Sequence, residues 1–190
     1  MQDGSRKAII AAFFANLGIA AAKFTGFLLT GSAALLAESG HSIADTGNQG
    51  LLLFGSRRGK RPADSAHPFG YGPERYFWSF IVALVLFSMG GLFALYEGIQ
   101  KVAHPHKIES AGIAFAILGL SVALETFSLR TAIKEANHVR HGRSWWNFIH
   151  TAKAPELPVV LLEDIGAEAG LFVALVGLTL AEVTNNPPWR

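Results

Sequence analysis

The chain has 190 residues, 51% of them hydrophobic and 16% charged, with a formal net charge of +2. So few charges are unusual for a soluble domain, and the basic residues cluster between apolar blocks, which argues against a nucleic-acid surface. The absence of cysteine excludes a disulfide framework, a thiolate metal site and a nucleophilic thiol.

Five segments are long and apolar enough to cross about 30 Å of hydrocarbon as helices. They are Ile9–Leu29, Ser32–Phe54, Phe77–Ile99, Ala111–Leu129 and Leu157–Ala181. The expected fold class is therefore an all-α membrane protein, a multi-pass bundle of transmembrane helices. The first span is too long for a signal-peptide core and carries Asn16 and Lys23, so it reads as retained in the mature chain. The second, through "AESGHSIADTGNQGLLLFG", carries Glu38, His41, Asp45, Asn48 and Gln49. Polar groups are costly in hydrocarbon and mark function there.

Basic residues divide the loops into two sides. Arg6 and Lys7 precede the first span; Arg57, Arg58, Lys60, Arg61 and Arg75 lie between the second and third; Arg130, Lys134, Arg140, Arg143 and Lys153 follow the fourth. The other side holds only Lys101, Lys107 and Arg190. An excess of Lys and Arg marks cytosolic loops, so the N-terminus and both long loops are expected in the cytosol. The loop "HVRHGRSWWNFIHTAKAPELP", with Trp145, Trp146 and Phe148, reads as an interfacial anchor.

His41 and Asp45 are four residues apart, one turn of helix, and so share a face. Asp164 and Glu168 in "VVLLEDIGAEAGLF" repeat that spacing on the fifth span. At 1.5 Å per residue, Asp45 and His41 lie about 14 and 20 Å from the cytosolic face, and Asp164 and Glu168 about 11 and 17 Å. The two pairs match in depth, and imidazole with carboxylates suits a divalent cation. Glu163 is expected to point about 100° away from Asp164. Gly166 and Gly170, facing Gly40, Ala44 and Gly47, are expected to let the two helices approach closely. The alternative is a hydrogen-bonded polar seam between packed helices. Asn16, Lys23 and Glu125 are candidates to line the same cavity, Glu97 reads as interfacial, and His104, His106, His138, His141 and His150 fall in loops. In "RPADSAHPFGYGPERYFW", Asp64 and His67 read equally as a weak metal pair or as turn chemistry.

At these residues the chain resembles the cation diffusion facilitator family of divalent-metal/proton antiporters. The resemblance rests on "GSAALLAESGHSIADTGNQ", "RPADSAHPFGYGPERYFW" and "LLEDIGAEAGLFVAL". It implies six transmembrane helices, a cytosolic C-terminal metal-binding domain and a homodimer. On this reading residues 1–190 are the transmembrane cation-efflux domain, the N-terminal part of a longer transporter whose sixth helix and cytosolic domain are absent here. The resemblance also implies a transport site of paired residues on the second and fifth spans, where His41, Asp45 and Asp164 match three of four positions. Val160 stands where zinc-type members carry His, so the chain resembles the branch with "LLED", and Glu168 is the candidate to complete the shell. One His with three carboxylates is harder than a two-His site, which leaves Mn²⁺, Fe²⁺ or Co²⁺ open beside Zn²⁺. In the loop, Asp64 and His67 match a secondary metal site of some members, with Tyr71 in place of a usual third ligand.

The function expected is efflux of a divalent metal, Zn²⁺ first, by proton antiport. The metal is substrate and no cofactor is implied. The partners are metal ions, protons, the lipid bilayer and a second copy of the chain, in the cell's plasma or inner membrane. The alternatives are an intramembrane metalloenzyme, which no His-Glu-x-x-His motif supports, and a non-transporting metal-binding or scaffold subunit.

Overall fold

The computed structural model describes residues 3–30, 33–103 and 111–184. Helix α1 spans Asp3–Thr30 and α2 Ala33–Arg58. Helix α3, Glu74–Val85, runs through a π-helical segment, Leu86–Gly91, into α4, Leu92–Ala103. Helix α5 spans Ala111–Arg140, α6 Trp145–Thr151 and α7 Glu156–Thr184. Arg6–Thr30 and Ala111–Arg140 are each long and apolar enough to cross a membrane by length and composition. The bundle is all-helical over the described residues, as expected, with three differences of detail. The fourth span continues as helix from Leu129 to Arg140, past the membrane boundary expected from hydropathy. The third is interrupted by the π turn. The anchoring loop contains α6, whose Ser144 N-cap accepts a hydrogen bond from the Asn147 backbone N–H. The side chains of Glu97 and Lys101, with residues 104–110 and 185–190, lie outside the described residues, so the expectations for Glu97, His104, His106, Lys107 and Arg190 go with them.

The distribution of side chains is inverted relative to a soluble domain. Phe14, Leu28, Phe80, Phe127, Phe172 and Val173 are exposed, while Asn16, Ser42, Asn48, Gln49, Ser121, Glu125, Ser128 and Asp164 are buried. A bundle with apolar groups outside and polar groups inside is solvated by lipid.

One end of the bundle gathers the basic loops and the tightest packing. Ala8, Ile9, Leu52, Val82, Ala132, Phe148, Leu157 and Val160 form one buried cluster there, drawn from α1, α2, α3, α5, α6 and α7. Lys7 reaches Glu135 of α5 at 3.9 Å, Arg58 bonds Glu74 at 3.0 Å, and the Tyr76 hydroxyl donates to the Lys153 carbonyl at 2.8 Å. Gly55 lets α2 lie directly on Trp78 of α3, where a Cβ would collide with the indole. Helix α1 packs on both α2 and α5, α7 packs chiefly on α5, and α2 and α7 touch at only a few positions.

Candidate functional site

The polar groups of α2, α5, α1 and α7 form a seam running inward from the basic end. On α2, His41, Asp45 and Gln49 follow at four-residue steps and share a face. The His41 Nε2 lies 3.7 Å from Asp45 Oδ2, so the expected pair is in place. Lys23 of α1 donates to Ser42 Oγ at 3.3 Å and lies 3.6 Å from Glu38, giving it a partner on α2. On α5, Ser121, Glu125 and Ser128 are buried one turn apart on one face.

Helix α7 is where the structure departs from the sequence expectation. Asp164, 1% exposed, accepts a hydrogen bond from the Ser128 hydroxyl at 2.8 Å. Glu168 accepts one from the Thr126 hydroxyl at 2.8 Å, and its second oxygen is buried with no hydrogen-bond partner. Both carboxylates are thus held by α5. Glu163 lies about 100° around the helix from Asp164, as expected, but it is Glu163 that reaches α2: its Oε2 accepts from the Gln49 amide at 2.5 Å. The physical reason is rotation about the helix axis. Successive residues differ by about 100°, so with Asp164 turned to α5 its neighbour faces α2. The expected close approach of glycines is also absent, since Gly40, Gly47, Gly166 and Gly170 each have open space where a Cβ would stand.

The four expected ligands therefore occur as two pairs, His41 with Asp45 on α2 and Asp164 with Glu168 against α5. Among the described residues no three His, Asp or Glu side chains are close enough to hold a metal together. Glu125 is nonetheless within electrostatic range of Asp164, Asp45, Glu168 and Lys23, so the carboxylates share one buried region. Val160 belongs to the apolar cluster. Sequence reasoning named Gln49 without giving it a role, and overlooked Thr126 and Ser128. Gln49 was legible as the next step of the His41–Asp45 face, and Ser128 as the next step of the Ser121–Glu125 face.

In the loop, Asp64 is committed to the turn. Its Oδ1 accepts from the backbone N–H groups of Ala66 at 3.0 Å and His67 at 2.7 Å, and its Oδ2 accepts from the Tyr71 hydroxyl at 2.7 Å. His67 stacks on Tyr71 with ring centroids 4.1 Å apart, and its Nδ1 lies 3.5 Å from Asp64. The hydrogen bond from Tyr71, the largest influence, and those from the backbone hold the Asp64 carboxyl below its ordinary value of 3.8. The same bond raises the Tyr71 phenol above 10.0, because its proton is held by the carboxylate.

A bundle with lipid-facing apolar side chains and an interior seam of carboxylates defines a polytopic membrane protein built around ionisable groups. The family model described as the cation efflux transmembrane domain matches residues 9–189, and the chain belongs to that family. The chain is 35% identical over 167 residues to the human mitochondrial proton-coupled zinc antiporter SLC30A9, a match covering 87% of the chain and 29% of that protein. It is 31% identical to metal tolerance protein C4 of Arabidopsis thaliana, covering 96% of the chain and 40% of that protein. With the zinc transporter ZitB of Escherichia coli it shares 27% identity, over 95% of the chain and 55% of that protein. The chain thus spans about a third to a half of the length of these relatives. The family is one of transporters, not enzymes.

Proposed function

We propose that the chain moves a divalent metal cation across a membrane in exchange for protons, with Zn²⁺ as the first substrate and Mn²⁺, Fe²⁺ or Co²⁺ as alternatives of similar charge. His41, Asp45, Asp164 and Glu168 form the transport site. The observation that carries this reading is a seam of ionisable groups inside a lipid-facing bundle, with Asp164 buried on α7 and His41 3.7 Å from Asp45 on α2. A metal binds the deprotonated carboxylates and the neutral imidazole, so loading expels protons and protonation expels metal. Alternating exposure of one such site couples the two fluxes. Few contacts tie α2 to α7, so for the Asp164–Glu168 pair to close on His41 and Asp45 it must leave Ser128 and Thr126 and α7 must shift against α5.

The basic end faces the cytosol on this reading, the membrane is the cell's own, and two copies assemble. Asp64 and His67 would take a second metal only by giving up the turn's hydrogen bonds. Relatives described as zinc transporters and as a proton-coupled zinc antiporter support the choice of cation and counter-ion. The test is flux in sealed vesicles bearing the purified protein. A pH gradient should drive Zn²⁺ uptake and a Zn²⁺ gradient should move protons. Zn²⁺ movement indifferent to the pH gradient, or none at all, overturns the reading.

A further inference from the structure

Gln49 and Glu163 meet between α2 and α7 outside the four-residue site. Gln49 is fully buried, and its amide nitrogen donates to Glu163 Oε2. That leaves the Gln49 carbonyl oxygen with no hydrogen-bond partner, and the other Glu163 oxygen is likewise buried and unpartnered. A buried acceptor left unpaired is destabilising. Two of them, one on each of two helices that otherwise barely touch, lack a positive partner. The amide cannot relieve this by turning over, since its carbonyl would then face the carboxylate.

The position is informative. Gln49 is one turn nearer the basic end than Asp45 on the same face, about 6 Å along the axis. Counted from their helix entries, Gln49 and Glu163 lie at about 8 and 9 Å, a depth match as close as that of the deeper pairs. Asp45 and Asp164 are both within electrostatic range of Glu163, so a cation here adjoins the deeper site. No basic side chain among the described residues is paired with Glu163.

We propose that Gln49 and Glu163 form a second, oxygen-only subsite for the transported divalent cation, on the path between the basic end and the His41–Asp45–Asp164–Glu168 site. This rests on the transport reading above and adds a staging point to it. A carboxylate and an amide carbonyl are hard donors, so the subsite accepts Mn²⁺ readily and discriminates little for Zn²⁺, leaving selection to the imidazole deeper in. Two protein oxygens leave most of the cation's shell to water, which suits a stop in transit.

The test uses Mn²⁺ alone, titrated into the detergent-solubilised chain and followed by loss of the free-ion paramagnetic resonance signal. Asp164→Asn disables the deeper site and should leave a weaker, residual Mn²⁺ binding. Adding Glu163→Gln to it should weaken that residue by at least about tenfold, as should adding Gln49→Met. Adding Glu163→Asp, which keeps the carboxylate, should retain it. Thermal unfolding of each variant controls for folding, and the Gln49→Met and Glu163→Asp arms decide the matter if the Gln variant unfolds. No residual binding in Asp164→Asn, or residual binding indifferent to both Glu163→Gln and Gln49→Met, overturns the subsite. Wild-type affinity for Mn²⁺ and Zn²⁺ in Asp164→Asn instead overturns the transport site, so the two failures are distinct.

Discussion

Arg75 at the start of α3 grips Glu156 at the start of α7 through two hydrogen bonds of 2.9 Å, and the Glu156 carboxylate is fully buried. The planar guanidinium matches the carboxylate in a paired geometry that Lys cannot reproduce. This pair fixes where α7 enters the bundle, and hence the rotation that sends Asp164 to α5 and Glu163 to α2. Arg75→Met strands a buried charge. The expected loss is below the about 3–5 kcal/mol of a fully buried pair, because the Arg75 side chain keeps 22% of its exposure. Arg75→Met/Glu156→Leu should recover most of it. Thermal unfolding in detergent checks both, and a double variant no more stable than Arg75→Met alone would contradict the account.

Much of the architecture was legible because a bilayer imposes simple rules. Apolar blocks of spanning length located the helices, and Lys and Arg sorted the loops to one end. The His41–Asp45 and Asp164–Glu168 spacings exposed the ionisable seam. What hydropathy could not give is the rotation of α7, since it depends on Arg75–Glu156, Ser128–Asp164 and Gln49–Glu163, contacts between residues 36 to 114 positions apart. Depth follows from counting along one helix, whereas facing depends on every helix packed against it. Likewise α5 stays helical beyond Leu129 because Ala132 and Ala136 are buried in the apolar cluster, a tertiary reason that mean apolarity does not register.

Asp45→Ala and Asp164→Ala should each abolish Zn²⁺ binding at the transport site. Each removes an anionic ligand from a low-dielectric region. Calorimetry on the two purified variants is the check, and wild-type affinity in either removes that residue from the site. Ser128→Ala is a milder probe. It frees Asp164 from α5 and should strengthen Zn²⁺ binding if the carboxylate must leave Ser128 to coordinate, whereas weaker binding would show that Ser128 orients the ligand.

The loop between α2 and α3 has a pH dependence of definite sign. The folded Asp64 carboxyl is held below 3.8, so its contribution to loop order is fully present above that value and is lost as pH falls through the depressed one. Asp64→Asn should mimic the acid form at neutral pH and speed hydrogen exchange at the Ala66 and His67 N–H groups. Tyr71→Phe should do so more weakly, since it leaves both backbone bonds. Unchanged protection of His67 in Asp64→Asn would remove the carboxylate from its turn role.

On the proposed transport reading, Val160 and Glu168 together bear on how the site fills its fourth position. Val160 is completely buried and packed in the apolar cluster at the basic end. Glu168 lies one turn beyond Asp164, and its second oxygen is buried without a partner, free to reach a cation. Glu168→Gln keeps the shape and loses the charge, and should weaken Zn²⁺ binding well beyond the same change at Glu163, whose carboxylate lies at the shallower subsite. Val160→His forces a larger, polar ring into a filled core, so it should lower the unfolding midpoint by the equivalent of about 1–3 kcal/mol. In the protein that does fold, imidazole is the softer ligand and should raise the preference for Zn²⁺ over Mn²⁺. Competition between the two ions on Val160→His reads this directly. A selectivity ratio unchanged from wild type would mean that residue 160 does not face the bound cation, and a metal-bound structure with the Glu168 carboxylate more than about 6 Å away, against about 2 Å for a coordinating oxygen, would remove Glu168 as well.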